Sequence, residues 1–123
     1  MPKGVERLKK RADFLRVAAV RRKWATPGMV LQAARDTSCV DAGRLRVGFT
    51  ATKKTGNAVV RNRIKRRLRS LADEMLPKHA KPGWDFVLIG RQGTPTRNFE
   101  ALKKDLKTAL KKVGAYEEET PNA

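Results

Sequence analysis

Between Lys53 and Arg69 the chain holds eight cations in seventeen residues and no carboxylate, yet the same stretch carries an apolar repeat suited to burial as a helix. At about 100° per residue, Val60, Ile64, Leu68, Leu71 and Met75 all fall within about 40° of Ile64. Asn62, Arg66 and Arg69, at i, i+4 and i+7, project from the opposite side, and Arg61, Arg63, Lys65 and Arg67 fill the flanks. A helix through this segment has one face that needs a core and one that needs anions. The remaining elements must furnish the surface on which the first face packs.

A charge run on a mixed-sign helix is ordinarily a solvated face. Here acidic partners at i±4 are missing, so the like charges repel and weaken the isolated helix by a few tenths of a kcal/mol per pair. Anions have to come from outside the chain. Five of the eight cations are Arg, whose planar fork holds two phosphate oxygens at once, which favours a polyphosphate over a diffuse membrane surface. The whole chain agrees: 29 Lys and Arg against 12 Asp and Glu leave a net charge of +17 in 123 residues. That charge points to nucleic acid as the partner, and the length to a single domain with a modest core.

Taken in order, residues 1–11 are basic and read as loosely ordered. A helix is expected from about Ala12 to Arg22, with Asp13 in its first turn and Phe14, Val17 and Ala18 on one apolar face beside Leu15. Trp24 opens a short edge strand, where packing is its ordinary role, and Pro27-Gly28 turns the chain. Met29 to Ala34 reads as a strand, followed by a polar turn through Asp36, Asp41 and Gly43. From Arg44 to Thr52, Leu45, Val47 and Phe49 alternate with Arg46 and Gly48, the period of a half-buried strand, and the two strands are expected to form an antiparallel hairpin. Beyond the cationic helix, Pro77 and residues 78–83 read as a loop holding His79. The apolar run from Asp85 to Gly90 suits an interior strand parallel to the one ending at Thr52. A last helix, capped by Asn98 and closed by Gly114, gathers Phe99, Leu102, Leu106, Ala109, Leu110 and Val113 on one face. Residues 1–114 form the domain, and residues 115–123, with three glutamates, an acidic disordered tail. The class is α+β, a two-layer α/β sandwich in the order α-β-β-β-α-β-α.

Catalytic and metal sites are not expected. The acidic residues are scattered, with no set of carboxylates able to converge on a metal ion. One histidine, His79, excludes acid-base hydrolysis by a histidine pair. Cys39 is the only cysteine, so neither an internal disulfide nor a multi-cysteine metal site can form, and an ordinary thiol is its expected role. No apolar run approaches the roughly 20 residues of a membrane span, and the start lacks the apolar centre of a signal peptide, so a cytoplasmic protein is expected.

Lys53-Lys54, then Gly56-Asn57-Ala58-Val59, then Arg61-Asn62-Arg63-Ile64-Lys65-Arg66 resembles the signature of the protein subunit of bacterial ribonuclease P. Arg7-Leu8-Lys9-Lys10 with Asp13-Phe14, the segment Leu45-Arg46-Val47-Gly48-Phe49, and the late strand and helix extend the similarity from about residue 7 to 113. The resemblance implies a ribosomal-protein-like fold with a left-handed βαβ crossover, where general chirality favours the right-handed form. It implies that the RNA subunit, using Mg2+, removes the 5′ leader of precursor tRNA. The protein then binds that RNA and the leader, with no cofactor of its own and no obligate protein partner. Carried over, Lys53, Lys54, Arg61, Asn62, Arg63, Lys65, Arg66, Arg67 and Arg69 would meet the ribozyme and nearby phosphates, and Asn57 would start the helix. Arg11, Phe14, Ala18, Val30, Gln32 and Arg46 would line the leader cleft, Phe14 stacking on a base or packing as plain core. Ala18 and Gln32 stand where the family often has aromatics, which shifts the cleft towards charge and hydrogen bonds. A basic protein of another RNA assembly, such as the ribosome, fits the composition equally well, and the RNA that copurifies separates the two. A protein-only nuclease would have to cleave without RNA.

Overall fold

The computed structural model describes residues 5–35 and 45–117. In chain order these form strand β1 (Val5–Arg7), helix α1 (Arg11–Val20), strands β2 (Lys23–Ala25), β3 (Met29–Arg35) and β4 (Leu45–Thr50), a 3-10 turn at Lys53–Thr55, helix α2 (Ala58–His79), strand β5 (Trp84–Gly90) and helix α3 (Phe99–Val113). Cys39, the expected polar turn from Asp36 to Gly43 and the tail from 118 onward lie outside the described residues.

β5 is buried on both faces, Trp84, Phe86 and Leu88 on one and Val87 on the other, which suits it to the centre of a sheet. The strand order is β1-β4-β5-β3-β2. β5 runs parallel to β4, pairing Arg46 with Asp85 through Thr50 with Ile89, as the strand-helix-strand order predicts. On its other side it is antiparallel to β3, from Met29 opposite Gly90 to Arg35 opposite Trp84. The expected β3-β4 hairpin is therefore corrected: β5 lies between them. The α2 crossover brings β5, the most apolar strand, into the interior position that a hairpin would have closed.

The start of the chain also differs from the expectation of a loosely ordered segment. Val5–Arg7 pairs in parallel with β4 at Leu45–Val47, and Leu8, 5% exposed, donates its N–H to the Val47 carbonyl at 3.0 Å. Both edges of the sheet are strands of three residues, β1 and β2, short enough to limit edge-to-edge pairing.

Helices cover the two faces unequally. α2 and α3 pack with Met29, Leu31, Val47, Phe86 and Leu88 into the main core. Their stripes supply Ile64, Leu68, Leu71, Met75 and Leu76 from α2 and Leu102, Leu106, Leu110 and Val113 from α3. Gly90 lies under α2, where a Cβ would run into the Ile64 side chain. α1 lies on the opposite face, where Val17, Leu8, Ala34 and Val87 make a second, smaller cluster joined by Phe14 and Ile89. It ends at Val20, two residues before the expected boundary, with Arg21 as its cap in a left-handed conformation at φ 63°, and Ala18, expected on its apolar face, is exposed.

α2 reaches His79, through Pro77, which corrects the expected loop after Leu76. A proline in the last turn removes one backbone bond, to the Asp73 carbonyl, on a residue already exposed to solvent. His79 is half-buried, its ring stacked on Tyr116 with centroids 5.6 Å apart. α3 follows the expectation closely: Asn98 Oδ1 accepts from Glu100 and Ala101 N–H, and Gly114 closes it at φ 83°. Lys103 of α3 bridges to Glu74 of α2. The hydrogen bond that Lys103 donates to the Glu74 carboxylate, aided by Glu100, holds that ammonium pKa above its usual range against desolvation.

Candidate nucleic-acid interface

The turn entering α2 is built for tight geometry. Gly56 has φ 147°, and a Cβ there would lie 2.8 Å from Val60 Cβ, so a side chain is excluded both by backbone and by space. The next residue, Asn57, caps α2 by accepting the Val60 N–H on Oδ1 at 3.0 Å. Lys53 and Lys54 project from the preceding 3-10 turn, both exposed. With Val60 and Ile64 turned to the core, Asn62, Arg63, Arg66 and Arg69 are exposed, and Arg61, Lys65 and Arg67 half-buried.

Among the described residues, ion pairs include Arg16 with Asp13, Arg16 and Arg46 with Asp85, Arg97 with Asp105, and Lys103 with Glu74 and Glu100. The cations from Arg61 to Arg69 take no part in them. Arg67 is set apart from its neighbours for another reason. Its Nη1 donates to the Thr94 carbonyl at 2.7 Å and its Nη2 to the Arg97 carbonyl at 2.6 Å, so its guanidinium ties α2 to the loop between β5 and α3 instead of standing free with Arg66 and Arg69.

The residues expected in the leader cleft come together on the other face of the sheet. Val30 and Gln32 alternate with the core residues Met29, Leu31 and Ala33 and are half-buried. Their partners across the sheet are Ile89 and Val87 on β5 and Ala25 and Lys23 on β2. Phe14, half-buried, leans on β4 at Gly48, where a Cβ would sit 2.5 Å from its Cζ. Gly48 makes room for that ring. Arg11 and Ala18 are exposed on α1.

Arg46 is not a free cation. Its Nε donates to Asp85 Oδ1 at 2.8 Å and its Nη2 to Asp85 Oδ2 at 2.6 Å, and Arg16 Nη2 reaches the same Oδ2. Asp85 is 1% exposed, so the two guanidiniums offset the cost of burying its charge. Sequence reasoning named neither Asp85 nor Arg16 for this site. The available signal was a lone carboxylate opening an otherwise apolar interior strand, which requires cationic partners.

The 3-10 turn lies at one end of the sheet, just after β4. There the β2-β3 turn, the 3-10 turn and residues 90–93 enclose an open cleft of about 760 Å3, with Lys54, Thr55, Arg91 and Gln92 among its walls. Gln92 Nε2 donates to the Lys54 carbonyl at 3.1 Å, and Arg91 Nη1 to the Thr26 carbonyl at 3.0 Å. No group of three His, Cys, Asp or Glu side chains among the described residues is placed to hold a metal ion. No described helix is long and apolar enough to cross a membrane.

The family model described as "Ribonuclease P" matches residues 1–114. A "Ribonuclease P protein component" of Paramagnetospirillum magneticum is 54% identical, covering 95% of this chain and 89% of that protein. One of Ruegeria pomeroyi is 50% identical over 91% of this chain and 89% of its own length. Among solved structures, the Staphylococcus aureus RNase P protein superposes with a TM-score of 0.72 at 28% identity, covering 90% of this chain and 97% of that one. The Thermotoga maritima RNase P protein gives 0.67 at 25% identity, over 82% and 91%. A signature that the sequence carries, a fold that the solved proteins share and half of all positions in common with curated relatives lead to one conclusion: the chain belongs to the ribonuclease P protein family.

Proposed function

We propose that this protein is the RNA-binding subunit of a ribonuclease P holoenzyme, working in the cytoplasm on precursor tRNA. The exposed cations of the 3-10 turn and α2 bind the catalytic RNA. The sheet face beside α1 holds the 5′ leader, and the RNA subunit carries the hydrolysis, supplying the Mg2+-dependent chemistry. The observation that carries this reading is the exposed face of Arg63, Arg66 and Arg69 on a helix whose other side is locked in the core, with Lys53 and Lys54 exposed on the turn before it. Like charges held together without carboxylates are self-repulsive until an anion arrives, and arginines favour phosphate as that anion. The names of the relatives support the same assignment.

Reconstitution tests it. Purified, RNA-free protein with Mg2+ is expected to leave precursor tRNA intact, and addition of ribonuclease P RNA to give accurate 5′ cleavage with substrate bound more tightly than by the RNA alone. His79→Ala is expected to retain full activity in the complex. Cleavage by the protein alone that vanished in His79→Ala would overturn the proposal.

A further inference from the structure

A second cationic cleft lies where β5 begins, at the opposite end of the sheet from the signature lysines. It has a volume of about 440 Å3, and its walls include Arg22, Arg35, Lys81, Trp84 and Glu117. Among the described residues, three cations thus face a single carboxylate. The site is ordered by contacts that do not use up its charge. Arg22 Nη1 donates to the Val113 carbonyl at 2.8 Å, and its guanidinium lies over the Trp84 ring, 5.7 Å from the centroid. Nearby in the chain, Lys111 lies over Tyr116 at 4.9 Å and Lys112 over Trp24 at 5.2 Å.

We propose that this cleft is a second phosphodiester-binding site for the catalytic RNA, an inference that rests on the function proposed above. Its position selects that RNA over the leader. Arg35 and Trp84 belong to the same alternation as Ala33 and Phe86, on the side of the sheet covered by α2 and α3, and Lys81 follows the last turn of α2. The leader face, with Phe14 and Gln32, is the other one. RNA lying along α2 from its cationic start meets the cleft at its far end, about 33 Å away for a helix of 22 residues. Charge complementarity does the rest: an Arg already oriented by a backbone carbonyl and an aromatic ring offers its remaining N–H groups to phosphate oxygens at little ordering cost.

The experiment compares Arg35→Gln/Lys81→Gln with wild type, leaving Arg22 in place because it also anchors α3. Affinity for the ribonuclease P RNA transcript is measured over a series of KCl concentrations, with Arg66→Ala/Arg69→Ala as reference. The expected result is a loss of roughly tenfold and a slope of log K against log salt lower by about 1.5, for two lost phosphate contacts. Arg35→Lys/Lys81→Arg should bind as wild type does. Leader-dependent affinity of the holoenzyme for precursor tRNA should be unaffected. Wild-type affinity and slope in Arg35→Gln/Lys81→Gln, alongside weakened Arg66→Ala/Arg69→Ala, would overturn the second site alone. Unchanged binding by both variants would overturn the second site together with the RNA-binding function it rests on.

Discussion

Phe14 decides whether the face beside α1 reads a base or merely closes a small core. Its ring rests on Gly48 and joins the cluster of Leu8, Val17, Ala34 and Val87, yet stays half-buried, so one side remains available for stacking. Phe14→Leu keeps most of the apolar volume and is expected to weaken precursor tRNA with a leader by about 1 to 3 kcal/mol while leaving mature tRNA unchanged. A lower melting temperature with equal loss for both substrates would make the ring part of the core only. Asp85 is a different kind of residue. Asp85→Asn leaves two guanidiniums, from Arg16 and Arg46, around a neutral amide, and is expected to cost about 3 kcal/mol of stability in urea unfolding. An unchanged midpoint would mean that the pairing contributes no net stability. Asn57 was legible as the residue that starts α2, because an N-cap uses that side chain in the same way in any fold, whereas the tight turn at Gly56 was not read from the sequence. Asp85 was not, because its partners come from α1 and β4, distant in sequence.

At the scale of elements, α2 and α3 were readable because a 3.6-residue stripe specifies both a helix and its buried face without reference to anything else. Strand pairing carries no such local mark. β3 and β4 alternate correctly for a hairpin, and only the position of β5 between them, set by the α2 crossover, excludes it. β1 was missed because Val5-Glu6-Arg7 is mostly polar and gains its order from pairing with β4. The same dependence on context separates Arg67 from the other cations of α2. Its two bonds to the Thr94 and Arg97 carbonyls predict that Arg67→Ala lowers the melting temperature, through the loss of two charge-assisted hydrogen bonds, with little change in the salt slope of RNA binding. The reverse pattern, stability intact and slope reduced, would return Arg67 to the RNA-facing set.

For the molecule as a whole, a net charge of +17 on 123 residues couples folding to anions. Any anion that binds only the folded state adds RT ln(1 + [L]/Kd), about 2.7 kcal/mol at a hundredfold excess over Kd. Sulfate is therefore expected to raise the melting temperature well above that in chloride of equal ionic strength, and identical melting in the two salts would remove the case for specific anion sites. On the function proposed above, the exposed arginines of α2, held by its buried stripe, bind the phosphates of the catalytic RNA. The most direct measurement is the salt dependence of RNA affinity for Arg66→Ala and Arg69→Ala against wild type. Each substitution is expected to weaken binding and lower the slope of log K against log salt by roughly 0.7 to 0.9, whatever the leader length, with melting of the free protein unchanged. Wild-type affinity and slope in both variants would contradict it.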